Sequence, residues 1–135
     1  MNIIDSSAWL AYFADEPNAG HFLAPLTDTA SLVVPSITIY EVFNVILRES
    51  NENNALKAVM AMQKGTVVDL TASLAMAASK LSIEYNLPMA DSIILATAQE
   101  FNAVIWTQDL DFKNISNVKF FSKKTGRADK KNSLP

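Results

Sequence analysis

Half of the 135 residues are hydrophobic, enough for one domain with a real core, and the absence of cysteine excludes disulfides and thiolate metal sites. His21 is the only histidine, so a multi-histidine zinc site is excluded too; a metal here must be held by oxygen, which favours Mg2+ or Mn2+. The net charge of -3 hides an asymmetry: residues 1–112 carry thirteen acids against four basic side chains (-9), whereas residues 113–135 carry seven basic side chains against Asp129 alone (+6). No apolar run approaches the roughly 18 residues of a membrane span, and the N-terminus lacks a basic then apolar signal pattern. The expectation is a cytoplasmic protein with no membrane partner.

In chain order, Asn2-Ile3-Ile4 reads as a short strand, and Asp5-Ser6-Ser7 offers capping side chains to a helix over Ala8 to Ala14 that Pro17 closes. A second short helix is expected from Asn18 to about Leu26, then a strand at Ser31-Leu32-Val33-Val34 stopped by Pro35. Ser36 to Glu49 is the longest amphipathic helix, its apolar face formed by Ile37, Tyr40, Val42, Phe43, Val45, Ile46 and Leu47. Glu41, Asn44 and Arg48 share its polar stripe. A helix over Ala55 to Lys64 ends at Gly65, and Thr66-Val67-Val68 forms a third strand. Thr71 to Tyr85 is helical with Asn86 as a left-handed cap; Asp91 opens a buried helix, Ser92 to Phe101, capped by Asn102. The run Ala103 to Trp106 is a central strand that ends in Thr107, Asp109 and Asp111, and Val118 to Phe121 is a last strand. Alternating strands and helices imply a mostly parallel α/β sandwich.

Ligands in such sheets bind at the carboxyl ends of strands, where Asp5, Glu41, Asp91 and Asp109 can converge, with Asp111 as a fifth acid. Each also has a purely local reading. Asp5 can accept turn hydrogen bonds, Glu41 can close a capping box with Thr38, Asp91 can be an N-cap, and Asp109 and Asp111 can make Asx turns. Gathered together, however, the carboxylates repel unless a cation neutralises them, and paired divalent ions suit hydrolysis of a phosphodiester. Thr107 could hydrogen-bond a carboxylate; Asn44 and Arg48 could orient Glu41 or touch a phosphate.

Ile4-Asp5-Ser6-Ser7, Thr38-Ile39-Tyr40-Glu41-Val42, the run Leu87-Pro88-Met89-Ala90-Asp91-Ser92-Ile93-Ile94-Leu95-Ala96-Thr97-Ala98 and Thr107-Gln108-Asp109-Leu110-Asp111-Phe112 resemble, in order, the motifs of PIN-domain proteins. The VapC-type toxins of prokaryotic toxin–antitoxin modules are the most similar group. The resemblance spans residues 3 to 112. It implies a PIN-like α/β/α sandwich around a mostly parallel sheet of four to five strands, with a nuclease domain over 1–122; the basic tail over 123–135 lies outside the resemblance and is expected to be flexible. It further implies a Mg2+- or Mn2+-dependent endoribonuclease acting on RNA, a homodimer, and a cognate antitoxin whose C-terminal segment wraps the toxin. Asp5, Glu41, Asp91 and Asp109 match the catalytic quartet, with Asp5, Asp91 and Asp109 on the metal. Thr107, Asp111, Ser6, Asn44 and Arg48 support them.

A catalytically silent PIN-fold binding module is the alternative, and a phosphoryl-transfer domain of receiver or haloacid-phosphatase type is a third. The last wants paired acids near the first strand, and Asp5-Ser6-Ser7 supplies one. The acidic body would repel RNA, so the tail or a second subunit would make the phosphate contacts, and unpaired RNA whose bases can stack is favoured over duplex. The tail is also readable as a frayed, solvated terminus. Trp9, Tyr12 and Phe13, with Met60 and Met62, could form the dimer face, although such stripes are more often core.

Overall fold

Strand β1 (Asn2–Ile4) sends Ile3 to one side of the sheet and Ile4 to the other, because side chains alternate along a strand, and both are fully buried. A strand apolar on both faces needs a helical layer on each side. In the computed structural model, which describes residues 1–123, both layers are present. Ile3, Val33 and Ile105 pack under helices α5 (Ala72–Tyr85) and α6 (Met89–Phe101). Ile4, Leu32 and Val34 pack under α1 (Ser6–Phe13), α3 (Ser36–Glu49) and α4 (Glu52–Met62), with Trp9, Phe22 and Met62 as the largest side chains.

The remaining strands are β2 (Leu32–Pro35), β3 (Thr66–Val68), β4 (Val104–Thr107) and β5 (Val118–Phe120). Their order is β3-β2-β1-β4-β5, and every pairing is parallel, with Ile4 opposite Trp106 and Ile3 opposite Ile105. The chain leaves β1 towards β2 on one side, and enters β5 from β4 on the other. The sheet therefore reverses its winding between β1 and β4, the place where such folds leave a crevice.

Element ends depart from the sequence reading where local chemistry intervenes. Helix α1 begins at Ser6 because Asp5 caps it, and it ends at Phe13 with Ala14 as its C-cap; the next residue, Asp15, takes a left-handed φ of 53°, ahead of Pro17. The expected helix after Asn18 divides into a 3-10 turn, Ala19–Phe22, and the short α2 (Leu23–Thr27). Pro35 lies inside β2 rather than after it. Helix α4 runs Glu52–Met62, capped by Asn51, so it starts and ends earlier than expected. Asn86 and Asn102 adopt the left-handed caps (φ 54° and 51°). The apolar stripe on α3 is narrower than its composition suggests: Val42 is buried, while Tyr40 is 65% exposed.

Trp9 and Met62 belong to the chain's own core, which removes them from a dimer face; Met60 is 68% exposed. No helix among the described residues is long and apolar enough to cross a membrane. The tail expected to be flexible lies, from residue 124 on, outside the described residues.

Candidate functional site

Asp5 follows β1 and caps α1: its Oδ1 accepts from the Ala8 N–H (2.9 Å) and from Ser7 Oγ (2.8 Å). The cap alone accounts for one carboxylate oxygen. The other, Oδ2, accepts from Thr107 Oγ1 (2.6 Å) at the end of the neighbouring strand β4. Asp5 is buried, and burial pushes its carboxyl up to about 6, against hydrogen bonds from Thr107, Ala8 and Ser7 that pull it down.

Thr107, fully buried, serves both sides of the switch point. Its hydroxyl donates to Asp5 and accepts from the Asp109 N–H (2.8 Å). Asp109 in turn caps a 3-10 turn, Leu110–Phe112, by accepting from the Asp111 N–H (2.9 Å). This is the Asx turn that sequence allowed, and it brings Asp111 back towards the strand end.

Asp91 arrives from the opposite layer. Pro88 occupies the N-cap of α6 with φ −57°, so the helix starts at Met89 and Asp91 stands in its first turn rather than at the cap. One carboxylate oxygen each from Asp91, Asp109 and Asp111 lie within 4.8 Å of one another. The Asp91 carboxyl is pushed up to about 8, first by burial, then by the charge of Asp109, a hydrogen-bonding contact with Asp111, and the charges of Asp5 and Asp111. Burial leads the shift, and the neighbouring carboxylates add to it.

The structure thus groups Asp91, Asp109 and Asp111, and sets Asp5 beside them through Thr107. Glu41, half-buried on α3, accepts a hydrogen bond from Ser6 Oγ, next in the chain to Asp5; Thr38 instead donates to the Pro35 carbonyl (2.7 Å), so no capping box forms between Thr38 and Glu41. Asn44 and Arg48 bond to each other (3.0 Å), and Arg48 also lies 3.7 Å from Glu49. No contact joins either to Glu41 among the described hydrogen bonds and ion pairs.

The donor set fits a hard divalent cation. Octahedral Mg2+ at roughly 2.1 Å from its ligands places oxygens about 3 to 4 Å apart, a separation compatible with a trio that lies within 4.8 Å, and all donors are oxygen. Three polar residues outside the expected site set join its hydrogen-bond network: Ser7, expected only as a capping side chain, Gln108, and Asn18, which reaches the site through Gln108. Gln108 was flagged only by lying between Thr107 and Asp109, and Asn18, a loop residue beside Pro17, gave no periodic or motif signal. Ser7 and Gln108 also line a groove of about 800 Å³ together with Leu10, Phe13, Val45 and Ile46 and the charged Glu16, Glu49, Lys57 and Lys123.

The sequence profile of the family described as PIN domain matches residues 3–118. Among solved structures, a toxin–antitoxin complex from Klebsiella pneumoniae superposes with a TM-score of 0.78 at 23% identity, over 92% of this chain and 100% of that one. A sarcin–ricin-loop-cleaving VapC toxin of Mycobacterium tuberculosis follows (TM-score 0.73, 17% identity, 86% and 95% covered), as does a DNA-bound VapBC complex from Salmonella typhimurium (0.68, 17%, 90% and 98%). At these identities the likeness concerns the fold. No curated protein matches the chain in sequence.

Proposed function

The chain belongs to the PIN-domain family, and from that premise we propose that it is a metal-dependent endoribonuclease, the toxin of a toxin–antitoxin pair. The observation that carries the reading is the trio of Asp91, Asp109 and Asp111 at the switch point, with Asp5 held beside it. Asp91, Asp109 and Asp111 would hold Mg2+ or Mn2+, with Asp5 completing the anionic wall. When bound, the ion supplies a Lewis acid that activates water and neutralises charge at the scissile phosphate.

The chain's own groups set the rest. Thr107 keeps Asp5 and the Asp109 backbone in one register, and Ser7 keeps the Asp5 carboxylate from turning. Glu41, fixed by Ser6, would stand at the margin of the site. In the ion-free state Asp91 holds its proton at neutral pH, so ion binding releases that proton and tightens as pH rises.

The structural neighbours from Klebsiella and Salmonella are toxin–antitoxin assemblies, which supports an antitoxin partner here. The groove beside Ser7 and Gln108 suits its wrapping segment: Leu10, Phe13, Val45 and Ile46 would take apolar side chains, and Glu16, Glu49, Lys57 and Lys123 would take charges of either sign. The silent binding module keeps one supporting observation, the acidic body of residues 1–112, which opposes RNA binding.

The deciding experiment incubates a labelled cellular RNA pool with the partner-free chain and Mg2+ or Mn2+. Discrete cuts that EDTA stops, and that Asp5→Asn and Asp91→Asn each abolish while remaining folded, are the expected result. A folded, ion-loaded parent that leaves every RNA intact would move the binding module ahead.

A further inference from the structure

Asn18 touches none of the acids, yet it is buried and both of its amide hydrogens are used. Nδ2 donates to Gln108 Oε1 (3.0 Å) and to the Ser122 carbonyl just beyond β5 (3.0 Å). Its Oδ1 is buried with no partner among the described residues. A buried acceptor left unpaired costs stability, so stability alone does not explain an asparagine here. What the residue provides is a two-pronged donor between a strand end and Gln108.

Gln108 is the residue between Thr107 and Asp109. Its N–H lies 3.3 Å from Ser7 Oγ, and its Nε2 lies 3.4 Å from the Ser7 carbonyl. Ser7 Oγ is the group that donates to Asp5. One continuous chain of hydrogen bonds therefore runs from Ser122 through Asn18, Gln108 and Ser7 to Asp5, and it grips the turn carrying Asp109 from outside the acidic cluster. An anchor on the residue between Thr107 and Asp109 limits how far that turn can move.

We propose that Asn18 and Gln108 are positioning residues for the carboxylate site: the Asn18 amide clamps the Gln108 side chain, and the clamped turn holds Asp109 at its working distance from Asp91 and Asp5. The role of the clamp in cleavage rests on the nuclease reading above, but its effect on the carboxylates is measurable without RNA. Supporting groups of this kind commonly change metal affinity or turnover by about 10- to 100-fold when removed.

The test uses the full chain with Asn18→Leu, Gln108→Leu and both together, and Met62→Ala as a destabilised control. Met62 is buried just ahead of the start of β3, whereas Asp5 and Asp109 follow the carboxyl ends of β1 and β4 and Asp91 lies in the first turn of α6. Mn2+ affinity is measured by calorimetry, and kcat and KM on a cleavable RNA. Each clamp variant should bind Mn2+ about 10-fold more weakly and lose about 10-fold in kcat at unchanged KM. The double variant should lose no more than either single one, and Met62→Ala should melt earlier with Mn2+ affinity intact. Mn2+ affinity within twofold of the parent, multiplied losses in the double variant, or an equal loss in Met62→Ala would overturn the proposal. Should Asn18→Leu fail to fold, Gln108→Leu carries the test. A parent that binds Mn2+ but cuts no RNA sinks the nuclease reading and leaves the clamp to be judged by affinity; a parent that binds no Mn2+ sinks both.

Discussion

Thr107 joins the two halves of the site with a single oxygen, donating to Asp5 and accepting from the Asp109 backbone. Removing that oxygen leaves a buried carboxylate short of a donor, so Thr107→Val should cost about 1–3 kcal/mol in urea unfolding. The two perturbed acids make a pH prediction with a definite sign. Unfolded Asp5 titrates near 3.8 and folded Asp5 near 6, so the ion-free native state keeps a proton that the unfolded chain loses. The stability this adds is complete below pH 3.8 and is lost as pH rises through 6, an amount of at most about 3 kcal/mol. Asp91 extends the loss through about pH 8. Urea midpoints in EDTA should therefore fall from pH 4 to 8. Asp91→Asn should flatten the upper half of that decline, and Mn2+ should restore stability at pH 8 in the parent alone. A flat ion-free profile would show that the acids are not held together as described.

At the level of elements, small residues at junctions decide where strands and helices can end. Gly65 lies beyond the C-cap of α4, Gln63, and its function in the fold is close approach. A Cβ there would lie 2.9 Å from the Leu32 carbonyl oxygen and 3.0 Å from side-chain carbons of Leu32 and Val34. Because the obstacle includes backbone of the paired strand, Gly65→Ala should cost roughly 1–3 kcal/mol. Asn102 poses the opposite case, since its constraint is the left-handed φ of 51° after α6 and not space. Asn102→Gly should leave the thermal midpoint nearly unchanged, while Asn102→Ala should cost about 1 kcal/mol. Equal effects from the two substitutions would argue that the cap is not strained. The strands and the long helices were legible from apolar runs and capping residues because those signals are local. The start of α6 was not: Pro88 rather than Asp91 takes the cap, which releases Asp91 to face Asp109 and Asp111.

For the molecule as a whole, charge poses the sharpest problem, an acidic body that must meet RNA if the proposed activity holds. Lys124, Arg127, Lys130 and Lys131, in the segment outside the described residues, are our proposed phosphate contacts. Deleting residues 124–135 should weaken RNA binding and lower the slope of log affinity against log salt by about 3, the value for four single-strand phosphate contacts. An unchanged slope would remove the tail from the interface. The homodimer belongs to the same proposal. With Trp9 and Met62 inside the core, exposed Tyr40, Leu47, Leu56 and Met60 are the large apolar residues left on α3 and α4 for a partner copy. Sedimentation of the parent and of Tyr40→Lys would test that face.

The residues by themselves determined the alternation of strands and helices, the oxygen-only donor chemistry and the short list of acids. Each of these depends on side-chain type or on spacing within one element. Tertiary structure alone decided how the acids are shared. Residues 5, 91, 109 and 111 meet because β1 and β4 pair in parallel at the reversal of the sheet, while α6 delivers its first turn to the same end. It also recruited Asn18 and Gln108, whose hydrogen bond spans 90 residues of chain. No local pattern encodes a contact of that separation, because it exists only after burial has brought the loop beyond α1 against the end of β4.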